Sequence, residues 1–365
     1  MRFALERSSD DLAGSGSKSN FTVWAVAGQV EPDRQIGPAK MGSMLESVCG
    51  NLCTSVLGFG CGSVMGRVGR SASLRAMNTA WDKGITLFDT ARSYGFGEAE
   101  AVLGEFLQGK RDRAVVATKY GIALQRQSGV KRMAVGAVRA AFKVPGVRGL
   151  VLGKGAKAVI SGQFSVAGLR ESVETSLREL RTDYVDILFL QEAKEAVLRD
   201  AELMVALDAL VSSGKVLRVG LYAGEKVIDA AIESAPWTIG AAQFGADPFS
   251  ALVAGFAARN QREMLLVGNH PFGSEERMHR FNSVLSAAGQ DESVPSELHE
   301  KLQDRGDQLV LEALLGIGLR VLGLHSLVFS MMRRDHLEAN VRAIEKCRFS
   351  VEELKVIQGR LAELA

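Results

Sequence analysis

Short apolar runs alternate with amphipathic stretches over most of the chain, from Ser55 to the carboxyl terminus. Eight of these runs have the composition of buried strands, namely SVLGFG, ITLFDT, RAVVATK, YVDILFLQ, KVLRVGLY, TIGAAQF, EMLLVG and LHSLVFS. The stretches between them, such as Leu169–Arg181 and Ala201–Gly214, carry apolar residues at helical spacing. Eight strand–helix units of this kind predict an α/β protein with a closed (β/α)8 barrel, a TIM barrel. An open doubly wound sheet with a second small domain is the alternative.

Residues 1–51 differ from the rest of the chain and are interpreted as an N-terminal extension. The sequence GSGSKSN (Gly14–Asn20) is typical of a flexible linker, and no strong hydrophobic period surrounds it. We therefore expect a single barrel domain over residues 52–365. The apolar stretch FTVWAVAG (Phe21–Gly28) is far shorter than the roughly 20 residues that a membrane-spanning helix needs. No membrane span is expected, and the cytoplasm is the default location.

The connection after the third predicted strand is too long for an ordinary loop between a strand and a helix. Residues 122–168 contain no acidic side chain and eight basic ones: Arg126, Lys131, Arg132, Arg139, Lys143, Arg148, Lys154 and Lys157. A solvent-exposed segment of helix and loop is the simplest interpretation of this basic insertion. A cationic lid that attracts phosphate or carboxylate groups is the functional one. A third interpretation is a weak amphipathic helix on an anionic membrane, although its apolar side is mostly alanine and valine.

The composition argues against several classes of protein. Hydrophobic residues make up 47% of the chain and charged residues 24%, as is normal for a soluble globular protein. A net charge of only +2 does not indicate a nucleic-acid-binding protein. The four cysteines are too few and too unevenly spaced for a disulfide framework. None of the five histidines has the spacing of a metal ligand pair on a helix, so no metal site is predicted.

Polar side chains stand at the ends of three predicted strands. Side chains in a strand alternate between its two faces, so Asp89, Lys119 and Gln191 share faces with apolar residues that would point into the barrel. These three side chains are expected to converge at the carboxyl end of the barrel, with Tyr94 just beyond. A lysine ammonium near a phenol lowers the pKa of that phenol. The cluster thus suits a general acid that protonates a carbonyl oxygen; a buried ion pair that merely fills the barrel is the structural alternative.

The motifs at these strand ends resemble those of the aldo-keto reductases. FDTARSYG (Phe88–Gly95) matches the family pattern D-T-A-x-x-Y-G after strand two, and ATK (Ala117–Lys119) matches the T-K that ends strand three. Further similarity lies in LRELRTDYVDILFLQ, in AAQF around Gln243 and in His336–Ile357. The resemblance implies a (β/α)8 barrel that binds NADPH or NADH. It also implies an oxidoreductase that transfers hydride between the nicotinamide and a small carbonyl or alcohol substrate.

By position, the resemblance makes Asp89, Tyr94 and Lys119 three of the four catalytic residues, with Tyr94 as the proton donor. The family has a histidine at the end of strand four, where this chain has Gln191. A glutamine amide can donate a hydrogen bond to a carbonyl oxygen, but it cannot carry a proton. An active enzyme with an altered rate or substrate range is one interpretation. The other is a catalytically impaired barrel that binds the cofactor as a redox sensor or scaffold.

The resemblance also implies a set of cofactor contacts. The family usually has Ser-Asn at the end of strand five, where this chain has Tyr222 and Ala223, while the glutamine expected at the nicotinamide carboxamide is kept as Gln243. Asn340 matches a position that contacts adenine. Arg333 and Arg334 stand where a 2′-phosphate would lie, and arginine suits phosphate, so NADP(H) is favoured over NAD(H). The basic insertion would in addition favour anionic substrates.

Overall fold

The eight predicted strands form a closed parallel barrel, which confirms the predicted fold class. The computed structural model describes residues 46–363, except 67, 125–158, 163, 237, 261–262, 272 and 304–305. In chain order, the barrel strands are β3 (Leu57–Gly60), β4 (Leu87–Asp89), β5 (Val115–Tyr120), β8 (Val185–Gln191), β9 (Val216–Tyr222), β10 (Ile239–Gly245), β11 (Leu265–Asn269) and β12 (Ser326–Phe329). Each strand pairs in parallel with the next, and β12 pairs with β3 to close the barrel.

Helices lie between successive barrel strands and after the last one. They are α1 (Arg70–Asp82), α2 (Ala99–Phe106), α3 (Val166–Leu180), α4 (Ala201–Ser212), α5 (Glu225–Ser234), α6 (Ala251–Ala254), α7 (Phe256–Arg259), α8 (Glu275–Ala288), α9 (Ser296–Lys301), α10 (Asp307–Gly316), α11 (Arg334–Glu345) and α12 (Val351–Ala362). Local sequence fixes several of their ends. The Ser165 hydroxyl accepts a hydrogen bond from the Gly168 N–H at the start of α3, and Ser350 and Glu353 form a capping box at α12.

Alternating side chains of each strand separate two hydrophobic cores. In β5, Val115 and Ala117 belong to the small cluster inside the barrel, whereas Val116 belongs to the larger cluster between the strands and the helices. This arrangement explains why the strands read as continuous apolar runs, since both of their faces are buried. It also means that a polar residue at an interior position must find its partners within the barrel or at one of its ends.

A β-hairpin covers the amino-terminal end of the barrel. It consists of β1 (Glu46–Cys49) and β2 (Leu52–Ser55), and its residues Cys49 and Leu52 pack into the interior cluster. The Arg218 guanidinium, near the start of β9, donates to the Cys49 carbonyl at 3.0 Å. The hairpin spans the predicted boundary between the N-terminal extension and the barrel, which lies between residues 51 and 52.

The basic insertion begins just after β5, and its last three residues, 166–168, already belong to α3. Its flanks, β6 (Ile122–Leu124) and β7 (Val159–Ser161), pair as antiparallel strands. All eight basic residues of the insertion lie outside the described residues, as does the part of the N-terminal extension that precedes residue 46. The described helices include none that is both long and apolar enough to cross a membrane.

Candidate active site

Interior positions change from apolar to polar at the carboxyl end of the barrel. The side chains that form this polar layer are Asp89 on β4, Lys119 on β5, Gln191 on β8, Tyr222 on β9, Gln243 on β10 and Asn269 on β11. Each of the first three sits two residues beyond an apolar residue of the interior cluster, as the alternation predicted. The carboxyl end of a parallel barrel is where this fold carries active sites.

Asp89 and Lys119 form a buried ion pair in the polar layer. The Lys119 ammonium donates to Asp89 Oδ1 at 2.5 Å and to the Thr90 carbonyl at 2.9 Å. The two side chains are only 7% and 1% exposed, so solvent hardly screens their attraction. An ammonium has three donors, and two of them are used by these contacts. The ion pair therefore holds one positive charge at a fixed place beneath the end of the barrel.

Tyr94 is held above this ion pair by a tight turn. It opens a short 3₁₀ segment, Tyr94–Gly97, in which Gly95 has a φ of 60°. A Cβ atom at Gly95 would lie 2.4 Å from the Val64 carbonyl oxygen, which is closer than real contacts allow. Glycine is needed here both for its backbone conformation and for the close approach. The Lys119 ammonium lies 5.1 Å from the centroid of the Tyr94 ring.

The acidity of Tyr94 differs from the sequence-based expectation. Burial raises the pKa of the Tyr94 phenol, and the nearby Asp89 carboxylate, Tyr222 and Cys61 raise this pKa further. The expected lowering by Lys119 was wrong for this structure because Asp89 pairs with the ammonium and the phenol is largely removed from water. At neutral pH the phenol therefore keeps its proton, as a proton donor must before it reacts.

A cavity of about 740 Å³ opens at the polar layer and extends along the carboxyl end of the barrel. Its inner end is lined by Asp89, Tyr94 and Tyr222. Its far end is lined by residues of α11, including His336 and Asn340. The volume lies in the range of small-molecule and cofactor sites.

Gln191 and Gln243 are in the polar layer but do not line this cavity. Gln191 is 7% exposed, and Gln243 is fully buried. Neither amide atom of Gln243 has a hydrogen-bond partner among the described residues. An unsatisfied buried amide of this kind costs about 1–3 kcal/mol. A primary carboxamide, such as that of nicotinamide, offers one donor group and one acceptor and would satisfy both atoms.

The arginines assigned to a 2′-phosphate are on the surface beside the far end of the cavity. Arg333 pairs with Asp335, and the Arg334 Nε donates to Glu338 at 2.8 Å. Their side chains are 68% and 79% exposed and do not line the cavity. Asn340, by contrast, is buried and lines the cavity.

Sequence reasoning missed two groups of cavity residues. His336 lines the cavity together with Asn340, and their i, i+4 spacing on one face of α11 was the available signal. Asn269 and His270 line the cavity at the end of β11. Asn269 follows Leu265 and Val267 on the interior face, so the alternation that located Asp89 could have located it as well.

Comparisons with known proteins agree with this geometry. A family model described as the aldo/keto reductase family matches residues 56–232. The chain is 33% identical over 186 residues to D-threo-aldose 1-dehydrogenase of a Pseudomonas species, covering 49% of this chain and 52% of that protein. It is 29% identical over 211 residues to an aryl-alcohol dehydrogenase (NADP(+)) of Phanerodontia chrysosporium, covering 55% of this chain and 47% of that protein. The chain thus spans about half the length of these curated relatives.

The solved structure of an aldo-keto reductase from Bacillus halodurans, in its holo form, is similar along nearly its whole length. Its TM-score is 0.62 at 23% sequence identity, over 87% of this chain and 96% of that chain. At this level of identity the similarity establishes the fold, which is the same closed barrel.

Proposed function

This chain belongs to the aldo-keto reductase family, and we propose that it is an NAD(P)(H)-dependent oxidoreductase acting on a carbonyl or alcohol group. The observation that carries the proposal is the buried Asp89–Lys119 ion pair beneath Tyr94, at the inner end of a cavity large enough for a cofactor. If the ion pair only filled the interior of the barrel, the open cavity above it would have no explanation.

Each catalytic side chain has a distinct role in the proposed reaction. A bound nicotinamide would supply the hydride for carbonyl reduction or accept it in alcohol oxidation. Tyr94 donates its proton to the carbonyl oxygen, and its phenolate is then stabilised by the Lys119 ammonium. Asp89 keeps that ammonium in place. Gln191 stands next to Tyr222 in the strand register, and its amide would have to turn toward the cavity, which it does not line, to donate a hydrogen bond to the carbonyl oxygen.

The cofactor contacts follow from the cavity and from the unsatisfied amide. Gln243 does not line the cavity, so its unpartnered amide would have to turn toward the wall beside Tyr222 to hold the nicotinamide carboxamide. Asn340, which lines the cavity, would contact the adenine. Arg333 and Arg334 would exchange their carboxylate partners for a 2′-phosphate, which makes NADP(H) the favoured cofactor. The aryl-alcohol dehydrogenase of Phanerodontia chrysosporium, whose name specifies NADP(+), supports this preference.

The substrate is proposed to be a small carbonyl or alcohol compound. The two curated relatives are named for an aldose and for an aryl alcohol, so they share the reacting group rather than a substrate skeleton. The basic insertion, which starts where β5 ends, would favour substrates that carry a negative charge. A weaker apparent affinity for such substrates at high salt would support this part of the proposal.

A cofactor titration followed by a substrate panel tests the function. Binding of NADPH is measured by fluorescence, and its oxidation is then measured with aldehydes, ketones and keto acids, and the reverse reaction with alcohols. We expect one-to-one binding and oxidation by at least one carbonyl class. Stoichiometric binding without turnover across the panel would instead indicate the impaired barrel, a redox sensor or scaffold.

A further inference from the structure

The geometry points to Tyr222 as a second hydrogen-bond donor to the substrate's carbonyl oxygen, in the role that the missing histidine would have. This inference rests on the proposed oxidoreductase function and assigns a catalytic residue within the same site. It gives the reaction two phenols, Tyr94 for proton transfer and Tyr222 for a hydrogen bond that persists throughout.

Tyr222 and Tyr94 both lie near the same ammonium. The Lys119 Nζ atom is 5.1 Å from the centroid of the Tyr94 ring and 5.8 Å from that of the Tyr222 ring. Both phenols line the inner end of the cavity. Neither hydroxyl has a hydrogen-bond partner among the described residues, so both are available to a ligand. A carbonyl oxygen that enters this end meets two phenol donors.

The backbone fixes Tyr222 at this place. It is the last residue of β9, and its carbonyl accepts a hydrogen bond from the Glu192 N–H at 2.8 Å. The next residue, Ala223, donates to the Gln243 carbonyl at 3.2 Å. Tyr222 is therefore held on both sides by the neighbouring strands, as a preorganised donor should be.

Gln191 is less suited to the same role. It is aligned with Tyr222 in the strand register, but it is 7% exposed and does not line the cavity. The phenol of Tyr222 has a longer reach than the glutamine amide and stands on the wall itself. The exchange of histidine for glutamine on β8 is thus offset by a tyrosine on the adjacent strand.

The proposed reduction step balances with both phenols in place. A reduced nicotinamide would supply the hydride that forms a C–H bond at the carbonyl carbon and would itself be oxidised, while the carbonyl π electrons would move to the oxygen. That oxygen takes the proton of Tyr94, and the resulting phenolate is reprotonated by water. A carbonyl oxygen has two acceptor sites, so Tyr222 can donate to the second one and keep its own proton.

The kinetic test compares the parent with Tyr222→Phe, Gln191→Leu and Tyr120→Phe. The Tyr120 hydroxyl donates to the Ser165 carbonyl, and Tyr120 belongs to the outer hydrophobic cluster and does not line the cavity, so Tyr120→Phe is the matched control for loss of one hydroxyl. Loss of one donor to a developing oxyanion lowers kcat by about 10²–10³. We expect Tyr222→Phe to lower single-turnover hydride transfer by this factor at saturating NADPH, with nearly unchanged cofactor affinity. Gln191→Leu should lower it less, and Tyr120→Phe should leave it unchanged.

A rescue variant keeps the test informative if Tyr222→Phe folds poorly. Tyr222→His restores a ring donor at the cavity wall and should react at least several times faster than Tyr222→Phe. Equal rates for Tyr222→Phe and the parent, or a larger effect of Gln191→Leu, would overturn the role of Tyr222 alone. A weaker affinity for NADPH with an unchanged single-turnover rate would reassign Tyr222 to the cofactor. A parent that binds NADPH but reacts with no substrate would overturn the proposed function as well. The rate of the parent therefore shows whether the function itself or only the role of Tyr222 has failed.

Discussion

Lys119 donates a 2.5 Å hydrogen bond to Asp89 inside the barrel, where both side chains are almost completely removed from water. A buried ion pair is weak evidence for stability, because desolvation of the two charges offsets most of their attraction. Its position is better explained by the phenol above it, which requires a nearby positive charge when it loses its proton. The same burial makes each partner depend on the other.

Replacing Lys119 with methionine should therefore both abolish turnover and destabilise the fold. An unpaired Asp89 carboxylate in the barrel costs about 3–5 kcal/mol. The double variant Asp89→Asn/Lys119→Met should regain much of this loss in urea unfolding without regaining activity. Lys215→Met is the matched control, because Lys215 and Glu174 form an exposed pair whose loss costs about 0–1 kcal/mol. A loss of stability no greater than that of Lys215→Met would contradict the assignment of a coupled buried pair.

The turn that carries Tyr94 depends on Gly95 for two separate reasons, which a pair of variants can distinguish. Gly109 also has a positive φ, of 71°, but a Cβ atom there would meet nothing within 4 Å. Gly109→Ala should cost only the left-handed conformation, about 1–2 kcal/mol. Gly95→Ala adds a collision with the Val64 carbonyl and should cost more, and it should lower turnover by moving Tyr94. Similar unfolding free energies for the two variants would show that the turn can shift without penalty.

The sequence was sufficient to predict the barrel and the ion pair at its carboxyl end. Buried strands between helices produce continuous apolar runs, and the period of two places Asp89 and Lys119 on the interior face. Both predictions depend only on local pattern and on the geometry of parallel strands. The hairpin β1–β2 was missed because Glu46–Cys49 is too short and too mixed in polarity to stand out as a strand.

The sequence was not sufficient to predict which polar side chains reach the cavity. Gln191, Tyr222 and Gln243 share one layer, yet only Tyr222 lines the cavity. Side-chain length and the packing of neighbouring strands decide this, and neither is visible in a periodic pattern. The direction of the Tyr94 pKa was missed for a similar reason, because burial and the pairing of Lys119 with Asp89 depend on the tertiary structure.

The cofactor preference should depend on the two arginines at the start of α11. In Arg333→Ala/Arg334→Ala, the ratio of the dissociation constants for NADH and NADPH should fall toward one. One charge-assisted contact to phosphate contributes about 1.5–3 kcal/mol, or roughly ten- to a hundredfold in affinity. Arg199→Ala is the control, because Arg199 is also exposed and forms an i, i+4 pair, with Glu195. Equal affinities of the unmutated protein for the two cofactors would refute the preference for NADP(H).

Stability should fall as pH rises because of Glu100, which is buried between α2 and β5. Burial raises the pKa of the Glu100 carboxyl above its ordinary value of 4.5, although Thr118 donates a 2.6 Å hydrogen bond to it. The folded protein therefore binds this proton more tightly than the unfolded chain does. The stabilisation is complete below pH 4.5 and is lost as pH rises through the folded-state pKa.

Glu100→Gln removes that titration while keeping a hydrogen-bonding group of the same shape. As pH rises above 4.5, the unfolding free energy of the parent should thus fall relative to that of Glu100→Gln. The difference should level off above the folded-state pKa of Glu100. Urea unfolding at a series of pH values measures it. The exposed Glu276 supplies the control variant Glu276→Gln, which should follow the parent. A difference for Glu100→Gln that does not vary with pH would show that Glu100 keeps the same proton affinity in both states.

The last prediction concerns Tyr94, the proposed proton donor. Tyr94→Phe keeps the ring and its packing but removes the only proton that the phenol can transfer. Because the Tyr94 hydroxyl has no hydrogen-bond partner among the described residues, its loss should leave stability and NADPH affinity nearly unchanged. Turnover should fall by about 10²–10⁴, the usual contribution of a positioned acid. Single-turnover hydride transfer at saturating cofactor isolates this step from binding and product release. If Tyr94→Phe transferred hydride as fast as Tyr120→Phe and the parent, the proton would have to come from another group, and Tyr222 is the other phenol on the cavity wall.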